Sequence, residues 1–131
     1  MGLENVQYGC FSWSGLKKVY LSSSVAVLED RAFCDCHSLK RVVFQESSRL
    51  RSIGKLCFCH SGLEEFVVPP GLKEIGGEAF CGCKKLKRVV LNEGLEALSD
   101  YYNHSYHSSF GVFHNSGIEE ITLPSTLRQI G

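Results

Sequence analysis

The sequence predicts a right-handed solenoid built on one parallel β-sheet, and three observations carry that prediction. Aliphatic anchors Val6, Leu28, Ile53, Ile75, Leu98 and Ile130 recur at spacings of 22, 25, 22, 23 and 32 residues. Phe11, Phe33, Phe58 and Phe80 each follow an anchor by five residues, and Phe113 follows Leu98 after an insertion. Ser or Cys stands three residues after each Phe (Ser14, Cys36, Ser61, Cys83, Ser116), and Leu or Ile follows five or six residues after it. One such unit cannot bury its own apolar face, whereas stacked copies bury a continuous core.

The elements follow in order within each unit. From three residues before the anchor to three residues after the Phe, as in Leu72-x-x-Ile75-Gly76-x-x-Ala79-Phe80-x-x-Cys83, apolar residues are spaced by three and four. That spacing predicts one short helical turn on the convex side. Next comes Leu86-Lys87-Arg88-Val89-Val90-Leu91, in which Leu86, Val89 and Leu91 point inward and Lys87, Arg88 and Val90 outward. The alternation is that of a short strand. Asn92-Glu93-Gly94, Pro69-Pro70-Gly71 and Pro124-Ser125 then turn the chain away from the sheet. The predicted organisation is one domain, residues 3–131, in units of approximately 3–24, 25–49, 50–71, 72–94 and 95–126, with the start of a sixth. The five repeat Phe residues are expected to stack as a column.

The unit Leu-x-x-Ile-Gly-x-x-Ala-Phe-x-x-Cys-x-x-Leu-x-x-Val-x-Leu resembles the leucine-rich repeat of the BspA-like (treponemal) type. Ile75, Gly76, Ala79, Phe80, Cys83, Leu86, Val89 and Leu91 match it position by position, and the resemblance covers nearly all of residues 3–131. Three units depart from it: those of Phe11, Phe58 and Phe113 are one residue shorter and carry Ser-Gly after the Phe. The resemblance implies an α/β-type leucine-rich-repeat solenoid of low helix content, with the sheet on the concave face and turns and loops on the convex side. It also implies a non-enzymatic binding scaffold, often on cell surfaces.

Composition narrows the function classes. Lys plus Arg number 14 and Asp plus Glu number 14, a net charge of zero that argues against nucleic acid or anionic membrane as the main partner. No apolar run reaches the roughly 20 residues of a membrane span, and Met1 to Gln7 show no signal-peptide pattern. No Gly-rich phosphate loop, paired carboxylates or nucleophile elbow is present, so no enzyme activity and no cofactor are predicted. Neither terminus carries a polar capping unit, which predicts a piece of a longer array or end-to-end self-association.

The seven cysteines include Cys34-x-Cys36, Cys57-x-Cys59 and Cys81-x-Cys83. Their repeat slots differ, so most are expected to be small core fillers. Cys34, Cys59 and Cys81 share the slot after Phe and stack at about the strand spacing of 5 Å, within disulfide reach. Reduced thiols are the plainer expectation. A metal site is not predicted, because stacked rungs give a line of thiols and not a tetrahedron.

Candidate ligand-binding residues lie on the outward strand positions. The charged pairs read Lys17-Lys18, Lys40-Arg41, Glu64-Glu65, Lys87-Arg88 and Glu119-Glu120. Arg41, Glu65, Arg88 and Glu120 are expected to form a lateral charge ladder, and Lys17, Lys18, Lys40 and Arg41 a basic patch that favours an acidic partner. Beside them runs the stripe Tyr20, Val43, Val67, Val90 and Thr122. The predicted binding set is therefore Lys18, Tyr20, Arg41, Val43, Glu65, Val67, Arg88, Val90, Glu120 and Thr122. A self-neutralising solubilising face is the plain alternative. The insertion around Ser99 to Ser109 adds Tyr101, Tyr102, His104, Tyr106 and His107, a composition typical of binding loops. His104 and His107, two imidazoles at i and i+3, are too weak a pattern to predict a metal site. Asn103-His104-Ser105 is a glycosylation acceptor pattern that matters only in a secreted protein. The predicted function is a protein-binding scaffold, adhesin-like or otherwise interacting with a host or partner protein. The alternative is an assembly unit that stacks through its ends.

Overall fold

Each repeat crosses the molecule twice in extended conformation, once at its anchor and once at its outward charged pair. The computed structural model describes residues 5–98, 101–103 and 108–130. In chain order the strands are β1 (Asn5–Val6), β2 (Lys18–Leu21), β3 (Val27–Leu28), β4 (Arg41–Phe44), β5 (Ser52–Ile53), β6 (Glu65–Val67), β7 (Glu74–Ile75), β8 (Arg88–Val90), β9 (Ala97–Leu98), β10 (Tyr101–Asn103), β11 (Ser108–Phe110), β12 (Glu120–Thr122) and β13 (Gln129–Ile130). The anchors form a six-stranded parallel ladder, β1-β3-β5-β7-β9-β13. The longer strands form two parallel ladders, β2-β4 and β6-β8-β12.

The predicted single sheet is therefore interrupted between β4 and β6. Position by position, the inward slot that holds Val19, Val42, Val89 and Ile121 elsewhere holds Phe66 in β6. Its buried ring packs 4.8 Å from Phe80, 5.3 Å from Phe58 and 5.8 Å from Phe44. On its other side Phe66 pairs in register with Val89, and at the break the rungs stay joined where the Glu64 amide donates to the Lys40 carbonyl at 3.3 Å.

The predicted helical turns are also absent among the described residues. Residues two before and two after Phe11, Phe33, Phe58 and Phe80 adopt left-handed φ values: Gly9 and Trp13, Arg31 and Asp35, Leu56 and His60, Glu78 and Gly82, all between 57° and 69°. A left-handed residue every fourth position stops a helix from propagating. The backbone amides then alternate. Ala32 and Cys34 donate to carbonyls three residues back, while Arg31, Phe33 and Asp35 donate to Lys55, Cys57 and Cys59 in the next rung. The same arrangement joins Leu56, Phe58 and His60 to Gly77, Ala79 and Cys81. Spacings of three and four thus mark a hydrogen-bonded coil and not a helical turn.

The core is a column of rings. Phe11, Phe33, Phe58, Phe80 and Phe113 stack at centroid distances of 5.3, 5.3, 5.4 and 5.4 Å with interplanar angles of 13° or less. Phe33, Phe58 and Phe80 are fully buried. Cys36 and Cys83 do more than fill space: their thiols donate to the Phe11 and Phe58 carbonyls of the preceding rung, each at 3.0 Å. The Ser-Gly of two of the three shorter units has a steric reason. A Cβ at Gly62 would strike the His37 carbonyl, and one at Gly117 the Lys84 carbonyl, in the longer unit each packs against.

The insertion is a two-stranded antiparallel hairpin in which Tyr101 pairs with Phe110 and Asn103 with Ser108. His104, Tyr106 and His107 lie outside the described residues.

Candidate binding face

The register of the long strands sets the candidate face. Lys18 lies beside Arg41 and Tyr20 beside Val43 in the first ladder. Glu65, Arg88 and Glu120 are neighbours in the second, as are Val67, Val90 and Thr122. The outward alternation of short strands places all ten residues on one side. Tyr20 is 70% exposed and Val67 46%, while Val43 and Val90 are half-buried. Lys18 Nζ stands 5.0 Å from the Tyr20 ring centre, a cation–π contact.

A groove of about 510 Å³ runs across this face, lined by Lys17, Lys18, Lys40, Arg41, Glu64, Glu65, Lys87 and Arg88. Its lining holds six cations and two carboxylates. The ion pairs are unevenly distributed. Arg88 reaches Glu65 at 3.2 Å and Glu120 at 4.0 Å, and Lys87 reaches Glu119 at 4.0 Å. Arg41 does not join this ladder, contrary to the sequence expectation. The interruption between β4 and β6 leaves it without a strand-paired carboxylate. Lys17, Lys18, Lys40 and Arg41 consequently make no ion pair among the described residues, and Lys18 and Arg41 face each other directly. Like charges placed so are destabilising in a sheet.

A second hollow of about 300 Å³ lies at the interruption, lined in part by Val42, Val43, Phe44, Val67 and Pro70. Sequence reasoning did not single out Phe44 or Phe66. The signal available was that Phe66 is the one aromatic residue in a slot otherwise filled by Val or Ile.

Other chemistry is sparse. Among the described residues no group of His, Cys, Asp or Glu is arranged to hold a metal ion, and no helix is long and apolar enough to cross a membrane. Burial pushes the Cys83 thiol up from 9.0 to about 11 and the Cys57 thiol further. The Ser125 amide and hydroxyl donate to the Glu93 carboxylate at 3.0 and 2.9 Å and hold its pKa down, a bond across rungs that orders a turn.

The model of the BspA-type leucine-rich repeat region matches residues 4–131 in six copies. The chain belongs to the BspA-type leucine-rich repeat family. Several solved structures share this leucine-rich-repeat fold. A leucine-rich repeat protein from Bacteroides ovatus superposes with a TM-score of 0.62 at 19% identity, covering 98% of this chain and 48% of that one. The pneumococcal vaccine antigen PcpA gives 0.62 at 18% identity, covering 84% and 31%. The T. pallidum leucine-rich repeat protein gives 0.55 at 27% identity, covering 93% and 63%. This leucine-rich-repeat chain thus spans less than two thirds of each of those proteins. No curated protein sequence matches it.

Proposed function

We propose that the chain is a non-enzymatic, protein-binding leucine-rich-repeat scaffold whose strand-face groove takes an acidic segment of a partner protein. One observation carries this reading: six cations line the groove against two carboxylates, and four of those cations have no ionic partner among the described residues. A folded chain that places like charges side by side has an anionic ligand as a natural complement. The predicted residues Lys18, Tyr20, Arg41 and Val43 border the basic half, and Glu65, Arg88 and Glu120 the self-neutralised half. The Tyr101 and Tyr102 hairpin is offered as a second contact element. A cell-surface, adhesin-like setting is supported by structural relatives described as a vaccine antigen and as a leucine-rich cell surface protein of Faecalibacterium prausnitzii.

The test is a fluorescence-anisotropy titration with a labelled oligoglutamate peptide. The wild-type chain binds it in low salt and releases it as salt rises. Lys40→Glu/Arg41→Glu weakens binding at least tenfold, and oligolysine does not bind. Equal affinity of the reversed variant overturns the reading. Deleting residues 101–107 reports whether the hairpin contributes.

A further inference from the structure

The convex surface carries a feature that ligand binding on the strand face does not use. Cys34, Cys59 and Cys81 each follow a repeat Phe and pack on one another as a separate cluster, apart from the main core and covered by Leu56. Backbone bonds fix their order. The Asp35 amide donates to the Cys59 carbonyl at 2.7 Å, and the His60 amide donates to the Cys81 carbonyl at 2.8 Å. Neighbouring thiols are therefore one rung apart, about 4.8 Å, inside the Cα range of roughly 4.4–6.8 Å for a disulfide. Cys34 and Cys81 are two rungs apart, about 10 Å, outside it. All three thiols are free, and they retain 5%, 4% and 9% exposure at the surface.

We propose that this column is a thiol oxidation site: a small two-electron oxidant of the hydroperoxide class converts it to one disulfide, shared between the pairs Cys34–Cys59 and Cys59–Cys81. Cys59 belongs to both pairs, so only one bond forms per molecule, and the third thiol can move it.

The chemistry balances. The Cys34 sulfur attacks one oxygen of hydrogen peroxide, the O–O bond breaks, and the leaving hydroxide takes the thiol proton as water. Cys34 is left as a sulfenic acid. Cys59 sulfur attacks it, the S–O bond breaks, and a second water leaves. Two thiols lose two hydrogens and one peroxide becomes two waters. The Cys81 sulfur then attacks Cys59, forms the second pair and returns Cys34 to a thiol. The Asp35 carboxylate accepts the Cys34 thiol proton at 3.2 Å and is placed to relay it to the leaving hydroxide as the sulfur attacks. The Cys59 thiol lowers the Cys34 pKa against burial and Asp35, and is itself pushed up by that same contact. The remaining buried thiols face inward: Cys57 is fully enclosed, and Cys36 and Cys83 give their protons to carbonyls.

The experiment treats the purified full chain with hydrogen peroxide, alkylates free thiols after denaturation and maps linked peptides by mass spectrometry. Exposed Cys10 serves as the reactivity yardstick in the wild type, and Cys10→Ser removes cross-links between molecules. The expected result is a product lighter by two hydrogen atoms, with Cys34–Cys59 and Cys59–Cys81 linkages and no Cys34–Cys81 linkage. Cys59→Ala abolishes the intramolecular bond. Cys34→Ala and Cys81→Ala each keep one pair. Oxidised Cys10 beside an unlinked column, a bond that survives Cys59→Ala, or linkages to Cys36, Cys57 or Cys83 each overturn the proposal.

Discussion

Gly15 and Gly62 occupy the same repeat slot in different surroundings. Nothing lies within 4 Å of a Cβ built on Gly15, whereas the same atom on Gly62 meets the His37 carbonyl. Gly62→Ala is expected to cost about 1–3 kcal/mol, the range of overpacking a filled interior. Gly15→Ala is expected to lose nothing, and urea unfolding of the pair checks the contrast. Cys83 offers a second residue-level test. Burial raises its pKa from 9.0 to about 11 in the folded chain. Between those values the unfolded chain releases a proton that the folded chain keeps, so stability is full below 9.0 and falls as pH rises toward about 11. Two units correspond to roughly 2–3 kcal/mol. Cys83→Ser, which retains a donor for the Phe58 carbonyl, should flatten that alkaline loss in melts taken across pH 8–11. A loss unchanged in Cys83→Ser assigns the alkaline limb to other groups, such as Cys57.

At the scale of elements, the Phe column is the best-founded target. Phe58 stacks between Phe33 and Phe80 at 5.3 and 5.4 Å and is fully buried. Phe58→Ala should cost roughly 3–5 kcal/mol, and Phe11→Ala less, because Phe11 has one stacking partner and is only half-buried. Equal midpoints in thermal unfolding would falsify the column as the main stabilising element. This column was legible in the sequence because one slot repeats five times. The convex coil was not. A helix and a chain with left-handed residues at every fourth position place apolar side chains at similar spacings, and their difference lies in φ at residues such as Trp13, Asp35 and His60. Those residue types do not announce a left-handed backbone. The break between β4 and β6 was hidden as well, because Arg41–Phe44 and Glu65–Val67 carry the same inward apolar alternation as the strands that do pair. The candidate face was read correctly for lateral neighbours within each ladder, Glu65 beside Arg88 for example. It was misread for Arg41, whose partner lay across that break.

For the molecule as a whole, a net charge of zero conceals a segregated surface. Repeats three to five neutralise one another through Arg88, Glu65, Glu120, Lys87 and Glu119. The first two repeats hold Lys17, Lys18, Lys40 and Arg41 in register without such relief. Repeat proteins sum their stability over neighbouring units, so a repulsive interface between these two repeats weakens the stack there. If that repulsion is tolerated because the groove binds an anionic segment, then relieving it separates stability from binding. Lys17→Glu/Lys18→Glu sets carboxylates beside Lys40 and Arg41 and creates no new like-charged pair. The gain should be a few tenths to about 1 kcal/mol, since exposed pairs contribute little and a cation–π contact with Tyr20 is lost. The same variant should lose oligoglutamate binding. Denaturation and anisotropy measured on one preparation decide between the two accounts. A variant that is more stable and still binds the acidic peptide makes these lysines a solvated surface, and one that is more stable and no longer binds makes them a site kept at the expense of stability.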